Sequence, residues 1–268
     1  MRPSPFRKLL TAAVLSLSAV GAQASFTINL SFSGLTATQA SYFTAAKSFW
    51  EGVITGYQGS STLAGLSISA TGAAIDGVGG ILGSAGPEHG VDAGGFVYTT
   101  VGSMNFDTAD IDAMIANGSF THVIQHEMAH VIGFGTLWTY NGVYVTDSGQ
   151  FTGAQALGAY KTEYNQPAAT FVPVELGGSP GTANAHWNEV DGGSALTGIV
   201  DRQGRDMAYE LMTGWLNEPG YVSRTTIASF QDIGYTVAQA VPEPGSWALM
   251  LAGLAAVSGL ARRRRAAA

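Results

Sequence analysis

The sequence predicts an α+β protein, and three observations carry that prediction. A stretch early in the chain has apolar residues at helical spacing. Two short helical segments in the middle are separated by turn residues. Strand-like runs fall between these helices without the regular alternation that a parallel α/β fold requires. In chain order, Thr38 to Ile54 places Tyr42, Phe43, Ala46, Phe49, Trp50 and Val53 on one helical face, and Gly56 and Gly59 are expected to end that helix. Leu63 to Ala70 alternates as a strand does. A glycine-rich loop is expected from Gly77 to Gly95, then a strand over Phe96 to Val101. Extended to Met104, that strand is a candidate open edge on which a peptide could add a strand.

Asp107 to Asp110 opens a short helix that Asn117-Gly118 closes. Asp107, Asp110 and Asp112 could also hold calcium, but acidic residues in a first helical turn need no metal to explain them. Ser119 is expected to cap the next helix, which runs to about Ile132 and stops at Gly133. Beyond Trp138 the periodicity fades into Gly, Asn and Pro. A last helix is expected over Thr225 to Ile233, with Ile227, Phe230 and Ile233 on one side.

Composition narrows the function. The chain has 268 residues, no Cys, and a formal net charge of −7. Without Cys there is no disulfide, no thiolate metal site and no Cys nucleophile. The charge is unevenly placed. Residues 25–240 hold five basic and eighteen acidic residues, whereas the first 24 residues and the last 28 each carry a net +3. An acidic body of this kind is not a nucleic-acid binder.

The two ends read as addresses. Arg2, Arg7 and Lys8 precede an uncharged run from Leu9 to Gly21 and then Ala22-Gln23-Ala24, the layout of a signal peptide cut by signal peptidase after Ala24. At the other end, Pro242 and Pro244 mark a boundary. The 18 uncharged residues from Pro244 to Ala261 are just enough for a transmembrane segment, and Arg262 to Arg265 would keep its end cytoplasmic. About 15 residues lie between the expected cleavage site and the first helix, which leaves no room for a pro-domain. Control is therefore expected from export and tail processing.

The chemistry centres on His126-Glu127-Met128-Ala129-His130. Residues at i and i+4 share a helix face, so His126 and His130 can hold one cation together, with Glu127 beside it to take a proton from a water. A catalytic zinc needs a third protein ligand. His186 is the chosen candidate. His89, Glu163 and Glu189 remain alternatives, and His122 could pair with His126 in place of His130.

His126 to Gly133, His-Glu-x-x-His-x-x-Gly, resembles the start of the metzincin zinc motif, in which the Gly lets the chain turn away from the helix. Thr136 stands where that motif usually has its third His. In this the chain resembles the leishmanolysin-like peptidases, where an insertion separates the Gly from a later His. Gly133-Phe134-Gly135-Thr136-Leu137-Trp138, His186-Trp187-Asn188-Glu189, Glu210-Leu211-Met212-Thr213-Gly214 and the stretch Ser223 to Tyr235 are all similar to theirs. The similarity covers roughly residues 40–237. It departs in lacking the disulfides of leishmanolysin and in extra length over Asp191 to Met207. Val241-Pro242-Glu243-Pro244, the apolar span and the Arg cluster also resemble the PEP-CTERM sorting tail.

These resemblances imply a metzincin-like zincin. An N-terminal lobe of about 25–135 would hold a mixed sheet and the active-site helix, and a loop-rich lobe of about 136–240 would end in a closing helix. They imply one catalytic Zn²⁺ on His126, His130 and His186, Glu127 as general base, Gly133 as the helix-ending turn and Met212 as the Met-turn residue. The chain would be an exported endopeptidase acting on proteins or peptides in a Gram-negative bacterium. The 241–268 tail would anchor it transiently in the membrane for an exosortase-type enzyme, and it would end at the cell surface or outside the cell. A non-catalytic zinc-binding surface or matrix protein, and a metal-dependent amidase acting on cell walls, are the alternatives.

Overall fold

The computed structural model describes residues 25–59, 62–63, 65–178, 180–189 and 195–238. The expected signal peptide and sorting tail lie outside the described residues. Among the described residues, no helix is long and apolar enough to cross a membrane.

The class is α+β. A four-stranded sheet opens the chain, built from β1 (Ile28–Ser33), β3 (Leu66–Ala73), β4 (Gly83–Ala93) and β5 (Phe96–Asp107) in the order β1-β3-β5-β4. β1, β3 and β5 run parallel, and β4 folds back antiparallel on β5. Helix α1 (Ala37–Val53) begins at a capping box. The Thr36 hydroxyl accepts from the Gln39 N–H, and the Gln39 side chain accepts from the Thr36 N–H. Phe43, Ala46 and Trp50 bury its inner face. The Trp50 indole N–H donates to the Gln125 carbonyl, 2.9 Å away, and ties α1 to the site helix.

Two turn predictions fail here. Gly56 and Gly59 do not end α1. The helix stops at Val53 and runs straight into β2 (Ile54–Tyr57), which pairs with the last strand. The glycine-rich stretch from Gly77 to Gly95 is not a loop throughout, because it contains β4. Its glycines hid the strand, since they remove the side-chain alternation by which strands are recognised. In consequence β5 is interior, and the edges of the sheet are β1 and β4 instead of Phe96 to Met104.

Helix α2 (Ile111–Asn117) ends at Gly118 with φ +86°. Helix α3 (Phe120–Ile132) follows, but Ser119 makes no capping bond. Its backbone is helical and its buried hydroxyl has no partner. Asp107 serves the preceding loop instead. Its carboxylate accepts the N–H groups of Ile75, Asp76, Gly77 and Ala109. That role explains the residue without calcium, and Asp112 lies out by the Gln39 side chain.

α3 lies hard against the sheet. A Cβ on Gly102 of β5 would overlap the Val131 side chain, so only glycine permits this approach. The second half is loop-rich, as expected, around β6 (Gln150–Phe151) paired with β7 (Val172–Pro173). It also holds a helix that faint periodicity concealed, α4 (Ala154–Glu163), and then α5 (Arg224–Asp232) and β8 (Tyr235–Val237). An aromatic cluster fills this half. Trp138 stacks on Trp187 at 5.0 Å between centroids, with Phe134 and Phe151 packed edge-on to Trp187.

Candidate metal centre

His126 and His130 stand one turn apart on the inward face of α3, as i, i+4 spacing dictates. At its end the chain turns at Gly133, where φ is +139° and a Cβ would meet Leu137 and Ile233 at 2.9 and 3.0 Å. Sixty residues after His126, His186 arrives on a short extended segment. Its neighbour Trp187 pairs with Val174 on one side and with Thr213 on the other. The buried Trp187 ring fixes that segment, and its indole N–H donates to Thr226.

The three imidazoles meet edge to edge. Each pair of Nε2 atoms is 3.0 Å apart. Each Nδ1 faces a backbone carbonyl: Leu211 for His126 at 2.7 Å, Phe134 for His130 at 2.9 Å and Thr182 for His186 at 2.9 Å. A carbonyl only accepts, so Nδ1 carries the proton and Nε2 carries a lone pair. Burial holds all three pKa values down. His186 falls to about 3, and His130, which also feels His186 and His126, lies well below its usual range. Three neutral rings thus aim three lone pairs at one point with no proton to share.

A tetrahedral ion with metal–nitrogen bonds of about 2.0–2.1 Å needs nitrogens about 3.3 Å apart, close to this spacing. Among the described residues, these three are the one group of three or more His, Asp or Glu side chains whose ligand atoms lie within 4.8 Å of one another. The donor set of three imidazoles suits Zn²⁺.

The alternative ligands lie elsewhere. His122 pairs with Glu218 at 2.8 Å, and His89 is exposed on β4. Glu163 caps α5 by accepting the Arg224 and Thr225 N–H groups. Glu189 accepts from the Gly214 N–H. Thr136 donates its hydroxyl to the His130 carbonyl and helps hold the helix end. Glu127 is buried beside the histidines against the first residue of β4, and burial pushes its carboxyl up to about 8. Met212 is fully buried, and its carbonyl accepts the Trp187 N–H.

The leishmanolysin family model matches residues 96–252, from β5 through all the residues just described. The chain belongs to the leishmanolysin family. That family places it among the metallopeptidases, whose substrates are proteins. A PEP-CTERM protein-sorting motif matches residues 240–265, which marks the chain for export and transient membrane anchoring in a Gram-negative bacterium and for an exosortase-type sorting enzyme. No curated protein matches the chain.

Sequence reasoning missed the parts of the leishmanolysin-type site that backbone supplies, since the carbonyls of Leu211, Phe134 and Thr182 carry no side-chain signature. It quoted Glu210 within the Met212 segment but gave it no role. This buried carboxylate accepts the Met212 N–H at 2.6 Å, the Ser223 N–H at 2.9 Å and the Thr226 hydroxyl at 2.6 Å. It joins the Met212 turn to the start of α5. Its signal was an acidic residue standing alone in the apolar run before Met212.

Proposed function

We propose that the chain is an exported zinc-dependent endopeptidase with His126, His130 and His186 as the metal ligands and Glu127 as the general base. The observation that carries this is the convergence of three Nε2 lone pairs, each fixed by a carbonyl behind its ring. When bound there, Zn²⁺ supplies Lewis acidity and lowers the pKa of water to about 7. The work of the chain is positioning and proton transfer. The three carbonyls lock the ring orientations and so keep the ligand set preorganised. Glu127 accepts the proton of the attacking water and returns it to the leaving amine nitrogen. Its raised pKa describes a carboxyl buried without a cation, and a divalent charge beside it favours the carboxylate that a base needs.

Gly133 frees the chain to turn under the site, and Met212 forms the floor of the turn that also supplies the Leu211 carbonyl. The layout fits a metzincin-like division into lobes of about 25–135 and 136–240. Signal peptidase would release residues 1–24, and the 241–268 tail would hold the body at the membrane before it reaches the cell surface or the medium.

Incubating the zinc-loaded protein with a peptide library and, separately, with cell-wall material tests this class of activity, with a chelator in a parallel arm. Chelator-sensitive cleavage of internal peptide bonds is expected. Bound zinc with no cleavage of any peptide would mean a non-catalytic surface or matrix protein. Cell-wall digestion alone would mean an amidase.

A further inference from the structure

Apart from the histidine centre, the structure holds an open cavity of about 500 Å³. Gln58 just after β2, Phe96 at the start of β5, Gln155 on α4, Gln231 and Asp232 on α5, and strand β8 line it. Its volume falls within the about 300–1,000 Å³ of small-molecule sites. None of His126, Glu127, His130 and His186 borders it. Tyr235 of β8 does, and its hydroxyl donates to the Ile132 carbonyl at 2.8 Å, so this residue stands between the cavity and the end of α3.

The lining has three glutamines and one carboxylate, and no Lys, Arg or His among the described residues. The Gln58 Nε2 donates to the Gln231 carbonyl at 2.6 Å and to the Tyr235 carbonyl at 2.9 Å. Both its N–H groups are thus taken, and its carbonyl oxygen is what it offers a ligand. Among the described residues, Gln155 and Gln231 are bonded through their backbones alone. Each of those two side-chain amides therefore keeps two donors and an acceptor. Asp232 accepts the Gln155 N–H at 2.9 Å on one oxygen and the Ala156 N–H at 2.8 Å on the other. It caps α4, whose positive end offsets its charge, and each oxygen keeps a lone pair. The half-buried Phe96 packs against Gly234, where a Cβ would overlap its ring.

These groups select the ligand by charge and by hydrogen bonding. With no cation in the lining, nothing answers a phosphate, a sulfate or a carboxylate. The single carboxylate already holds a helix end, so nothing calls for a cation. An apolar ligand would take the amides out of water and leave them unpaired. A neutral ligand dense in hydroxyl groups meets the whole set. Each hydroxyl both donates and accepts, as an amide does, and the C–H face of a sugar ring covers an aromatic ring. We propose that this cavity binds a neutral sugar unit, with the Gln155 and Gln231 amides pairing with its hydroxyls, Gln58 and Asp232 accepting from them, and Phe96 lying against its C–H face. The site is separate from the metal centre and does not depend on the peptidase reading.

The test titrates the full chain with glucose, galactose, mannose, N-acetylglucosamine, maltose, cellobiose and lactose. Binding is read by saturation-transfer NMR and isothermal calorimetry, with inorganic phosphate and a neutral glutamine-containing peptide in parallel arms. At least one of the sugars is expected to bind at one site per chain, and phosphate and the peptide are expected not to bind. Gln155→Ala and Gln231→Ala keep their helices and remove one hydrogen-bonding group each, so each should weaken sugar binding about 3- to 10-fold, with the fold checked by circular dichroism. Phe96→Leu should weaken it as well. The double variant His126→Ala/His130→Ala is expected to bind the sugar as the wild type does. A wild type that binds none of the sugars, Gln155→Ala and Gln231→Ala variants that bind as tightly as the wild type, loss of binding with the two histidines, or the peptide binding in the sugar's place would each overturn the proposal.

Discussion

Replacing Glu210 with Ala removes one side chain and strands three donors. The Met212 and Ser223 N–H groups and the Thr226 hydroxyl all point at its carboxylate within 2.9 Å, and all are buried. Each buried donor left without a partner costs about 1–3 kcal/mol. The sum is an upper bound, because the change also relieves the burial that raises the Glu210 pKa, and water can enter the space left behind. A net loss of about 3 kcal/mol follows, the lower end of that sum. For a chain of this size that is a fall in Tm of roughly 6–12 °C. Glu210→Gln keeps one acceptor oxygen but turns an NH₂ group against a donor, so it should lose about half as much.

The consequence reaches the site. The turn that Glu210 holds supplies the Leu211 carbonyl behind His126 and the Met212 carbonyl behind Trp187. Metal affinity should therefore fall along with stability. Thermal unfolding by circular dichroism, paired with zinc stoichiometry, checks both. An Ala variant that melts within 1 °C of the wild type and holds zinc as tightly would refute the assignment of Glu210 as the organiser of this turn.

A Cβ at Gly83 would stand 3.1 Å from the Glu127 Cγ and Oε1, so Gly83→Ala should displace the carboxylate by a few tenths of an ångström. Since about 1 Å of misplacement costs about 10²-fold, kcat/KM should fall about 3- to 10-fold with Tm and zinc content unchanged; undiminished turnover would contradict this. His186→Ala should leave zinc substoichiometric, read by elemental analysis after dialysis. Full occupancy would move the third ligand elsewhere. Four N–H groups hold the folded Asp107 pKa below its usual 3.8, so its contribution is present above pH 3.8 and is lost as pH falls through the folded value. Acid unfolding of Asp107→Asn should lack that extra loss between the two values, and curves for variant and wild type that stay parallel below pH 3.8 would count against it.

Long periodic elements were legible in the sequence because burial writes them directly into residue order. Helices α1, α3 and α5 fall within about a residue or two of expectation, and the helical spacing of His126 and His130 becomes a shared face. His186 was singled out from five histidines, and its ring does meet theirs. The edge strand β4 was not legible, since Gly83, Gly86 and Gly90 present no side chains to alternate. Ser119 had the right chemistry for a cap but lies in helical backbone, where its hydroxyl cannot reach the N–H groups it would cap. Glu210 and the Leu211 carbonyl act through contacts between segments separated in sequence, 210 with 223 and 226 and 126 with 211, and the Phe134 and Thr182 carbonyls, though only four residues from their histidines, are backbone atoms that leave no mark in the residue pattern.

The central claim is that Glu127 moves the proton while the three histidines alone hold the metal. Glu127→Ala, compared with the wild type for bound zinc and for peptide hydrolysis in the same preparation, tests it most directly. The predicted result is unchanged zinc stoichiometry with turnover reduced about 10²–10⁴-fold. Turnover at the wild-type rate in the Ala protein would contradict it.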